Sequence, residues 1–474
     1  MKTVSDYVST RGSATNFGFE DVLLTGLARD GGLFLPGAWP QFSPEDIREL
    51  AGLPYPEAAL KIMLPFVREC ISEDEFQTLL NDAYAGFAHR AVAPLVQIGP
   101  NDWVLELFHG PTLAFKDFAM QVLARLMDRT LKSRNARATI IGATSGDTGG
   151  AAIEAFRGRE AIDIFILHPE GRVSDVQRCQ MTTALEANVH NIALEGTFDD
   201  CQAIVKALFN DHEFRDRHSL AGVNSINWAR IMGQIVYYFT AAVSLGAPDR
   251  AVRFCVPTGN FGDIYAGFAA KQMGLPIARL VIATNINDIL KRVLETGNYQ
   301  PQNVVATQSP SMDIQVSSNF ERLLFTLCGR DSERVKALMD ELRAQHQFTL
   351  SDQEFGELKS LFSVYRVDET ETVEIIRRLY QETGYIADPH TAVGIGAAMK
   401  TPKDPSSPMI ALATAHPAKF PDTVERAIGR ELDQPEILSD KLSAQERFTV
   451  LHNDYAAVAH FIEERSRAVK EPLS

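Results

Sequence analysis

Short apolar runs that alternate with glycine-rich turns and helix-like segments, from about residue 138 onward, constrain the fold of this chain most strongly. The runs that have the character of buried strands are ATIIGA (138–143), IDIFILHP (162–169), VHNIALEG (189–196), VRFCVPTG (252–259), ARLVIATN (278–285) and PMIALATA (408–415). Strands this apolar, with helices between them, are typical of parallel sheets that helices cover on both faces. The sequence therefore predicts an α/β fold in which ligands bind at the carboxyl ends of the strands. The loops after residues 143, 257 and 413 are unusual, and we expect them to face one cleft.

The rest of the chain has a different pattern. Residues 1–95 show no such alternation, and segments such as PYPEAALKIMLPFVREC look helical, which predicts a mostly helical N-terminal domain. The α/β core follows at 96–420 and includes a charged, helical insertion at about 330–382. We expect residues 421–474 to form a C-terminal helical segment. A length of 474 residues is enough for two or three domains.

Charge and composition exclude several classes of function. The formal net charge is -15, which argues against nucleic acid as a partner because phosphate backbones require a basic surface. No apolar run approaches the roughly 20 residues that cross a bilayer, and the start MKTVSDYVSTRG has no apolar core of a secretory signal. We therefore expect a cytoplasmic protein without a membrane partner. The cysteines form no CxxC pair and the histidines no HxxxH pair, so no metal site is expected.

Lys116 stands in HGPTLAFKDFAM, among mostly apolar neighbours. Partial burial lowers the pKa of an amine and makes it a better nucleophile toward an aldehyde, as a Schiff-base lysine requires. The alternative is an ordinary helix lysine whose aliphatic stem lies on apolar neighbours.

Two glycine-rich turns between a strand and a helix could bind anions. In GATSGDTGGAA (142–152), backbone N–H groups, the start of a helix and the side chains of Thr144, Ser145 and Thr148 are available. In PTGNFGDIYAG (257–267), glycines allow the close approach of a phosphate. Neither turn matches the P-loop or the G-x-G-x-x-G pattern, and each could instead be a plain tight turn. Together the turns suggest two anionic groups in one site.

Two further segments carry polar groups next to apolar ones. Thr414 follows a buried strand in ATAHPAKF, where a threonine is either structural or supplies a neutral hydroxyl to a site. Asn224, Ser225 and Arg230 lie together in NSINWARIMGQ. An arginine fork binds phosphate bidentately, whereas the alternative is a helix cap followed by an arginine in an ordinary ion pair.

Taken together, these segments resemble the threonine synthase family, of the longer type with an N-terminal extension. The motifs that carry the resemblance are STRG (9–12), GLARDGGLFLP (26–36), ELFHGPTLAFKDF (106–118), ATSGDTGGAA (143–152), HPEGRVSDVQRCQM (168–181), NSINWAR (224–230), VPTGNFGDIYAG (256–267) and ATAHPAKF (413–420). They occur in the order of the family and extend over most of the chain. The resemblance implies the two-lobed fold type II of pyridoxal-phosphate enzymes, with pyridoxal 5'-phosphate between lobes of parallel sheets flanked by helices.

The resemblance also implies roles for individual residues. Lys116 would hold the cofactor as a Schiff base, and Thr414 would form a hydrogen bond with its pyridine nitrogen. The cofactor phosphate would be bound by Gly259, Asn260, Phe261, Gly262 and Asp263. The substrate carboxylate would be bound by Thr144, Ser145 and Thr148, and the substrate phosphate by Asn224, Ser225 and Arg230. Asp147 stands where the wider fold type often has an asparagine that contacts the ring oxygen of the cofactor.

The activity implied by the resemblance is the conversion of O-phosphohomoserine and water to threonine and phosphate. One alternative is a phospho-lyase of the same fold that releases 2-oxobutyrate. The other is a non-catalytic relative that only binds ligands, against which the intact Lys116 and both anion-binding turns argue. Analysis of the products separates threonine synthesis from the phospho-lyase reaction, which releases 2-oxobutyrate. A colourless purified protein would favour the non-catalytic relative. The sequence does not indicate an oligomeric state.

Overall fold

The computed structural model describes residues 3–12, 17–144 and 146–469. The strands are β1 (Tyr7–Ser9), β2 (Phe34–Pro36), β3 (Leu95–Gln97), β4 (Asp102–Glu106), β5 (Ala138–Ala143), β6 (Ile162–Pro169), β7 (Val189–Glu195), β8 (Leu220–Ala221), β9 (Val252–Pro257), β10 (Ile277–Thr284), β11 (Asn298–Tyr299), β12 (Phe348–Thr349), β13 (Phe362–Arg366), β14 (Met409–Ala413) and β15 (Thr449–His452). Each apolar run that the sequence predicted as a buried strand is confirmed, as β5, β6, β7, β9, β10 or β14.

Helices occupy most of the remaining chain. They are α1 (Phe19–Thr25), α2 (Pro44–Arg48), α3 (Tyr55–Val67), α4 (Glu73–Tyr84), α5 (Lys116–Ser133), α6 (Asp147–Phe156), α7 (Asp175–Thr182), α8 (Phe198–Asn210), α9 (His212–Arg217), α10 (Trp228–Ser244), α11 (Gly262–Gln272), α12 (Ile289–Thr296), α13 (Phe320–Leu327), α14 (Ser332–Gln345), α15 (Asp352–Leu361), α16 (Glu369–Thr383), α17 (Pro389–Lys400), α18 (Pro421–Ile428), α19 (Glu436–Ser443) and α20 (Tyr455–Glu463). Short 3-10 turns lie at Pro310–Met312 and Pro417–Lys419.

The contacts divide the chain into two compact units. Unit 1 consists of Met1–Val22, Leu27–Phe115 and Ser225–Asp433. Unit 2 consists of Leu23–Gly26, Lys116–Asn224 and Gln434–Ser474. Each unit has its own sheet, which is the architecture predicted for the α/β core.

The sheet of unit 1 has the strand order β13-β10-β9-β14-β4-β3. Its strands are parallel except for β3, which pairs antiparallel with β4. Every residue of β9 and β14 is buried, as expected for central strands with both faces covered. Because β9 and β14 are parallel neighbours, the loops that follow Pro257 and Ala413 lie at the same edge of this sheet.

The sheet of unit 2 has the strand order β15-β7-β6-β5-β8, and all its pairs are parallel. The central strand β6 is buried along its whole length. The loop after β5 leads into α6, at the carboxyl edge of this second sheet. The loops predicted to share a cleft thus belong to different units, and their common cleft stays a prediction.

The predicted N-terminal domain contains the helices α1, α2, α3 and α4, together with the short strands β1 and β2. The side chains of Ser43 and Ser72 cap α2 and α4, each accepting a hydrogen bond from a backbone N–H in the first turn. The contact units, however, group Leu27–Phe115 with Ser225–Asp433 and do not separate residues 1–95. The boundaries at 95 and 420 stay predictions.

The region 330–382 contains α14, α15 and α16 as expected, together with two strands that the sequence did not indicate, the two-residue strand β12 and one longer strand. This strand, β13, extends the sheet of unit 1 by pairing in parallel with β10. The segment 421–474 likewise contains β15, which pairs with β7. Both strands lie at sheet edges, where the neighbouring strand rather than the local pattern decides the conformation.

Candidate active site

Lys116 is the first residue of α5, and its side chain is buried. It is 8% exposed, and its Nζ lies 3.5 Å from Oδ2 of Asp147, which is 5% exposed. Asp147 is the first residue of α6 and belongs to the same unit. Charges attract more strongly when they are shielded from water, so this contact is a buried ion pair that holds the amine near the start of α6. The sequence predicted a buried lysine correctly but gave Asp147 no such role.

The residues before Lys116 are bonded to the segment that follows β14. Phe115 donates its N–H to the carbonyl of Thr414 at 2.9 Å, and His416 donates its N–H to the carbonyl of Leu113 at 3.0 Å. Thr414 is itself buried, and its own N–H donates to the hydroxyl of Thr391 at 3.3 Å. Hydrogen bonds thus hold both the carbonyl and the N–H of Thr414. Phe115, which bonds to that carbonyl, directly precedes Lys116 in the chain.

The glycine-rich loop at 258–263 begins where β9 ends and leads directly into α11. A side chain at Gly259 would place its Cβ 2.7 Å from the carbonyl oxygen of Ser311, so only glycine fits there. Phe261 adopts the left-handed conformation with φ of 63° and caps α11. Asn319 donates its backbone N–H and its side-chain amide to the carbonyl of Asn260, at 3.0 and 2.9 Å. The loop is therefore shaped by close packing and by bonds to its carbonyl groups.

The side chain of Asp263 is directed into unit 1. Its Oδ1 accepts hydrogen bonds from the hydroxyls of Tyr237 and Tyr238, at 2.6 and 2.9 Å. Burial raises the pKa of this carboxyl from 3.8 to about 6. Because a carboxylate would repel a phosphate, the predicted contribution of Asp263 to phosphate binding is through its backbone N–H at the start of α11.

The segment 224–230 spans the point where the chain passes from unit 2 to unit 1. Asn224 is exposed and Ser225 is half-buried. Asn227, not Asn224 or Ser225, caps α10 by accepting a hydrogen bond from the N–H of Ala229. Arg230 lies in the first turn of α10 and is buried, and burial lowers the pKa of its guanidinium to about 10. A buried cation so close to a helix N-terminus is the kind of group that an anion stabilises.

A second buried arginine, which the sequence analysis missed, lies next to the same segment. Arg322 donates to the carbonyl of Ile226 at 2.5 Å, to the carbonyl of Phe34 at 3.0 Å and to Oδ1 of Asn319. Burial lowers the pKa of Arg322 to about 10. The amide of Asn319 in turn donates to the hydroxyl of Ser225 at 3.4 Å. Arg322 and Asn319 thus connect the predicted substrate-phosphate segment with the glycine-rich loop, within unit 1.

The predicted carboxylate-binding loop is organised by one threonine. The hydroxyl of Thr144 donates to the carbonyl of Gly146 at 2.9 Å and accepts from the N–H of Gly149 at 3.1 Å. A Cβ at Gly149 would lie 2.3 Å from Cγ2 of Thr144, so the glycine is required. Thr148 is half-buried in the first turn of α6, and Ser145 lies outside the described residues. Thr144 therefore shapes the loop, because its hydroxyl is bonded to the loop backbone.

Among residues 3–12, 17–144 and 146–469, no helix is long and apolar enough to cross a membrane. In the same part of the chain, no group of three or more His, Cys, Asp or Glu side chains is placed to hold a metal ion.

Comparison with known proteins identifies the class to which these features belong. Residues 92–412 match the family described as pyridoxal-phosphate dependent enzyme. Residues 6–84 match the threonine synthase N terminus, and residues 391–462 match the threonine synthase C-terminal family. A buried lysine at a helix start and an α/β fold are what this class requires, so the chain is a pyridoxal-phosphate enzyme of fold type II.

Individual relatives define the family. Threonine synthase from Pseudomonas aeruginosa is 53% identical over 465 residues, which cover 98% of this chain and 99% of the relative. The crystal structure of threonine synthase from Brucella melitensis with bound pyridoxal phosphate has a TM-score of 0.96 and 57% identity, and the match covers 98% of this chain and 100% of that one. The structure of yeast threonine synthase has a TM-score of 0.93 and 40% identity, and the match covers 98% and 99%. The chain belongs to the threonine synthase family, these matches support threonine synthase function, and its cofactor is pyridoxal phosphate.

Proposed function

We propose that this chain converts O-phosphohomoserine and water into L-threonine and phosphate, by elimination of phosphate from Cγ and addition of water at Cβ. Breaking the C–O bond of a phosphate ester makes this a carbon–oxygen lyase reaction. The observation that carries the proposal is the burial of Arg230 and Arg322 beside the segment 224–227. Their lowered pKa values indicate that burial still disfavours both cations, and a substrate phosphate would offset that penalty.

The residues present fit pyridoxal phosphate. The side chain of Lys116 is buried, and an amine shielded from water suits a nucleophile toward an aldehyde. The loop from Gly259 to Asp263 offers backbone N–H groups and the positive end of α11 to the cofactor phosphate. The hydroxyl of Thr414 would face the ring nitrogen without the negative charge of a carboxylate. When bound, the cofactor supplies the electron sink for the reaction.

Lys116 and Asp147 are proposed to manage the protons. The amine of Lys116 would take a proton from Cα of the substrate, release it, and then take a proton from Cβ. Two protons would return to the substrate, one to Cγ and one to Cα at the end, while water supplies the hydroxyl at Cβ and its other hydrogen goes to the departing phosphate. After each uptake Lys116 is an ammonium group, which the carboxylate of Asp147 at 3.5 Å stabilises. Proton transfer by a positioned side chain typically contributes about 10²–10⁴ in rate.

The substrate would be held at both of its anionic ends. Arg230, with Asn224 and Ser225, would bind the substrate phosphate, which gains charge as it leaves, so these hydrogen bonds strengthen in the transition state. At the other end, the hydroxyl of Thr148, Ser145 and backbone N–H groups of the loop shaped by Thr144 would bind the carboxylate.

The test is product analysis of the purified protein with O-phosphohomoserine. We expect threonine and phosphate in equal amounts and little 2-oxobutyrate. Equal amounts of phosphate and 2-oxobutyrate, without threonine, would establish the alternative phospho-lyase. The matched variants are Lys116→Ala and Lys132→Ala, which remove a lysine from opposite ends of α5. Only Lys116→Ala should abolish product formation, and equal activity of the two variants would refute the assignment.

A further inference from the structure

A buried hydrogen-bond network lies at the start of α17, within unit 1. Its centre is the carboxylate of Asp388, which is 0% exposed and caps this helix. Asp388 accepts from the backbone N–H groups of His390 and Thr391, at 2.9 and 3.1 Å. It also accepts from the hydroxyl of Thr391 and from Nδ1 of His390, the latter at 2.7 Å. Asp388, His390 and Thr391 are called the Asp388 network below.

The first arm of the Asp388 network reaches Thr414. A carboxylate only accepts hydrogen bonds, so the hydroxyl hydrogen of Thr391 must be donated to Asp388. A lone pair of the same hydroxyl is then available to the N–H of Thr414, from which it accepts at 3.3 Å. Asp388 thus orients the hydroxyl that holds the backbone of Thr414.

The second arm reaches the glycine-rich loop. Nε2 of His390 accepts the N–H of Ser311 at 3.2 Å, so the ring proton resides on Nδ1, which donates to Asp388. The carbonyl oxygen of Ser311 lies against Gly259, where an added Cβ would be only 2.7 Å away. Asp388 therefore fixes the tautomer of His390, and His390 fixes the backbone that packs against Gly259.

We propose that Asp388 is a positioning residue for pyridoxal phosphate. Through Thr391 it sets the position of Thr414, and through His390 it sets the glycine-rich loop. The inference rests on the proposed roles of Thr414 and of the loop from Gly259 to Asp263. One carboxylate that touches neither substrate nor cofactor would then control two of the places where the cofactor is held.

The chemistry of the network predicts what an amide would do in its place. Asp388→Asn keeps a good helix cap and one acceptor oxygen, which the hydroxyl of Thr391 can use. The amide nitrogen then faces Nδ1 of His390, so the ring proton must move to Nε2. There it would face the N–H of Ser311, and two donors cannot bond to each other. The arm to the glycine-rich loop is therefore the one that breaks.

The experiment compares four variants as holoenzymes: Asp388→Asn, Thr391→Val, Thr391→Ser and Thr401→Val. Thr401→Val is the matched control, since it removes a buried threonine hydroxyl at the opposite end of α17, where the hydroxyl donates to the carbonyl of Ala397. The readouts are the visible absorbance maximum of the bound cofactor, the 31P resonance of its phosphate, its rate of loss to a scavenger, and the thermal midpoint.

We expect Thr391→Val to move the absorbance maximum and to leave the 31P resonance in place. Asp388→Asn should move the 31P resonance and speed cofactor loss by about two- to tenfold, the effect of losing one uncharged hydrogen bond, between Nε2 of His390 and the N–H of Ser311. Thr391→Ser should restore the wild-type spectrum, and Thr401→Val should change no cofactor readout. If Asp388→Asn does not fold, the Thr391 pair still decides the first arm.

A lower thermal midpoint with unchanged absorbance, 31P resonance and cofactor loss in both Thr391→Val and Asp388→Asn would overturn the inference, because the network would then be structural only. Thr414→Val separates this outcome from a failure of the proposed function. If Thr414→Val moves the absorbance maximum and Thr391→Val does not, the inference alone fails. If Thr414→Val does not move the absorbance maximum either, the proposed role of Thr414 is wrong, and the inference about the first arm is wrong for the same reason.

Discussion

The buried carboxyl group of Asp263 should make the stability of unit 1 depend on pH. It lies in the first turn of α11 and accepts hydrogen bonds from Tyr237 and Tyr238 of α10. Its Oδ2 has no hydrogen-bond partner among the described residues, and burial raises the pKa to about 6. We expect Asp263→Asn to stabilise the protein at pH 8, because the amide keeps an acceptor oxygen for the tyrosines and removes the buried charge.

The sign and the magnitude follow from the pKa. The folded state holds the proton up to about pH 6, whereas the unfolded chain releases it near the ordinary value of about 3.9. Ionisation of Asp263 therefore lowers wild-type stability increasingly as the pH rises from about 4 to about 6, and by a constant amount above that. A shift of about two units corresponds to about 3 kcal/mol at pH 8, about 1.5 kcal/mol at pH 5 and about 0.5 kcal/mol at pH 4.

The assay is urea unfolding followed by tryptophan fluorescence at pH 8, 6.5 and 5, with both proteins saturated with cofactor. The chain has three tryptophans, Trp39, Trp103 and Trp228, and all of them lie in unit 1 with Asp263. The signal therefore reports the unit in which the substitution is made. The gain in unfolding free energy of Asp263→Asn should be greatest at pH 8 and should be roughly halved at pH 5.

The control is Asp249→Asn, in the same unit. Asp249 is exposed, and its hydrogen bond with Arg48 lowers the pKa of its carboxyl, so this variant should gain no stability at pH 8. A gain for Asp263→Asn that is equal at pH 8 and pH 5 would refute the electrostatic reasoning, since it would have to come from packing. Destabilisation at pH 8 would refute it more directly.

Three further predictions concern the proposed reaction. Lys116→Ala should lower the rate of threonine formation by a factor of about 10²–10⁴ or more. After borohydride treatment, mass spectrometry should find no cofactor attached to residue 116 of this variant. Cofactor that is still attached there would contradict the assignment. Arg230→Ala should lower kcat/KM about ten- to a hundredfold and leave the cofactor affinity unchanged. The control Arg253→Met removes a buried arginine that is bonded to backbone carbonyls, and it should leave kcat/KM unchanged. If Arg230→Ala instead loses cofactor affinity with an unaltered KM, the two phosphates have been assigned to the wrong loops. Thr414→Asp should shift the visible absorbance of the cofactor and slow threonine formation, because a carboxylate favours a protonated ring nitrogen; an unchanged spectrum would make Thr414 structural.

The sequence located the central strands of both sheets and the residues on the loops that follow them. Runs such as IDIFILHP are mostly apolar because they are covered on both faces, so the pattern itself carries the information. Lys116 was recognisable for a related reason, since a lysine among apolar neighbours is unusual and the structure buries it. The family motifs added the cofactor and the expected activity, which composition and periodicity do not contain.

Other features depended on partners far away in the chain. Strand β4 forms because it pairs with β14, some three hundred residues later, and β13 because it pairs with β10. Asp263 was predicted as part of the loop that binds the cofactor phosphate, which stays a prediction, but the sequence did not indicate that two tyrosines of α10 bind its side chain.

Arg322 and Asp388 are polar residues that the sequence analysis did not single out, although the Asp-Pro pair before a small-residue helix is a recognisable cap signal. The sequence by itself determined the six strands β5, β6, β7, β9, β10 and β14 and the loops that follow them, because burial on both faces leaves a local apolar pattern. Only the tertiary structure decided which buried polar groups support those loops, because the hydrogen bonds that reach the loops join residues distant in sequence, such as Arg322 with Ile226 and His390 with Ser311.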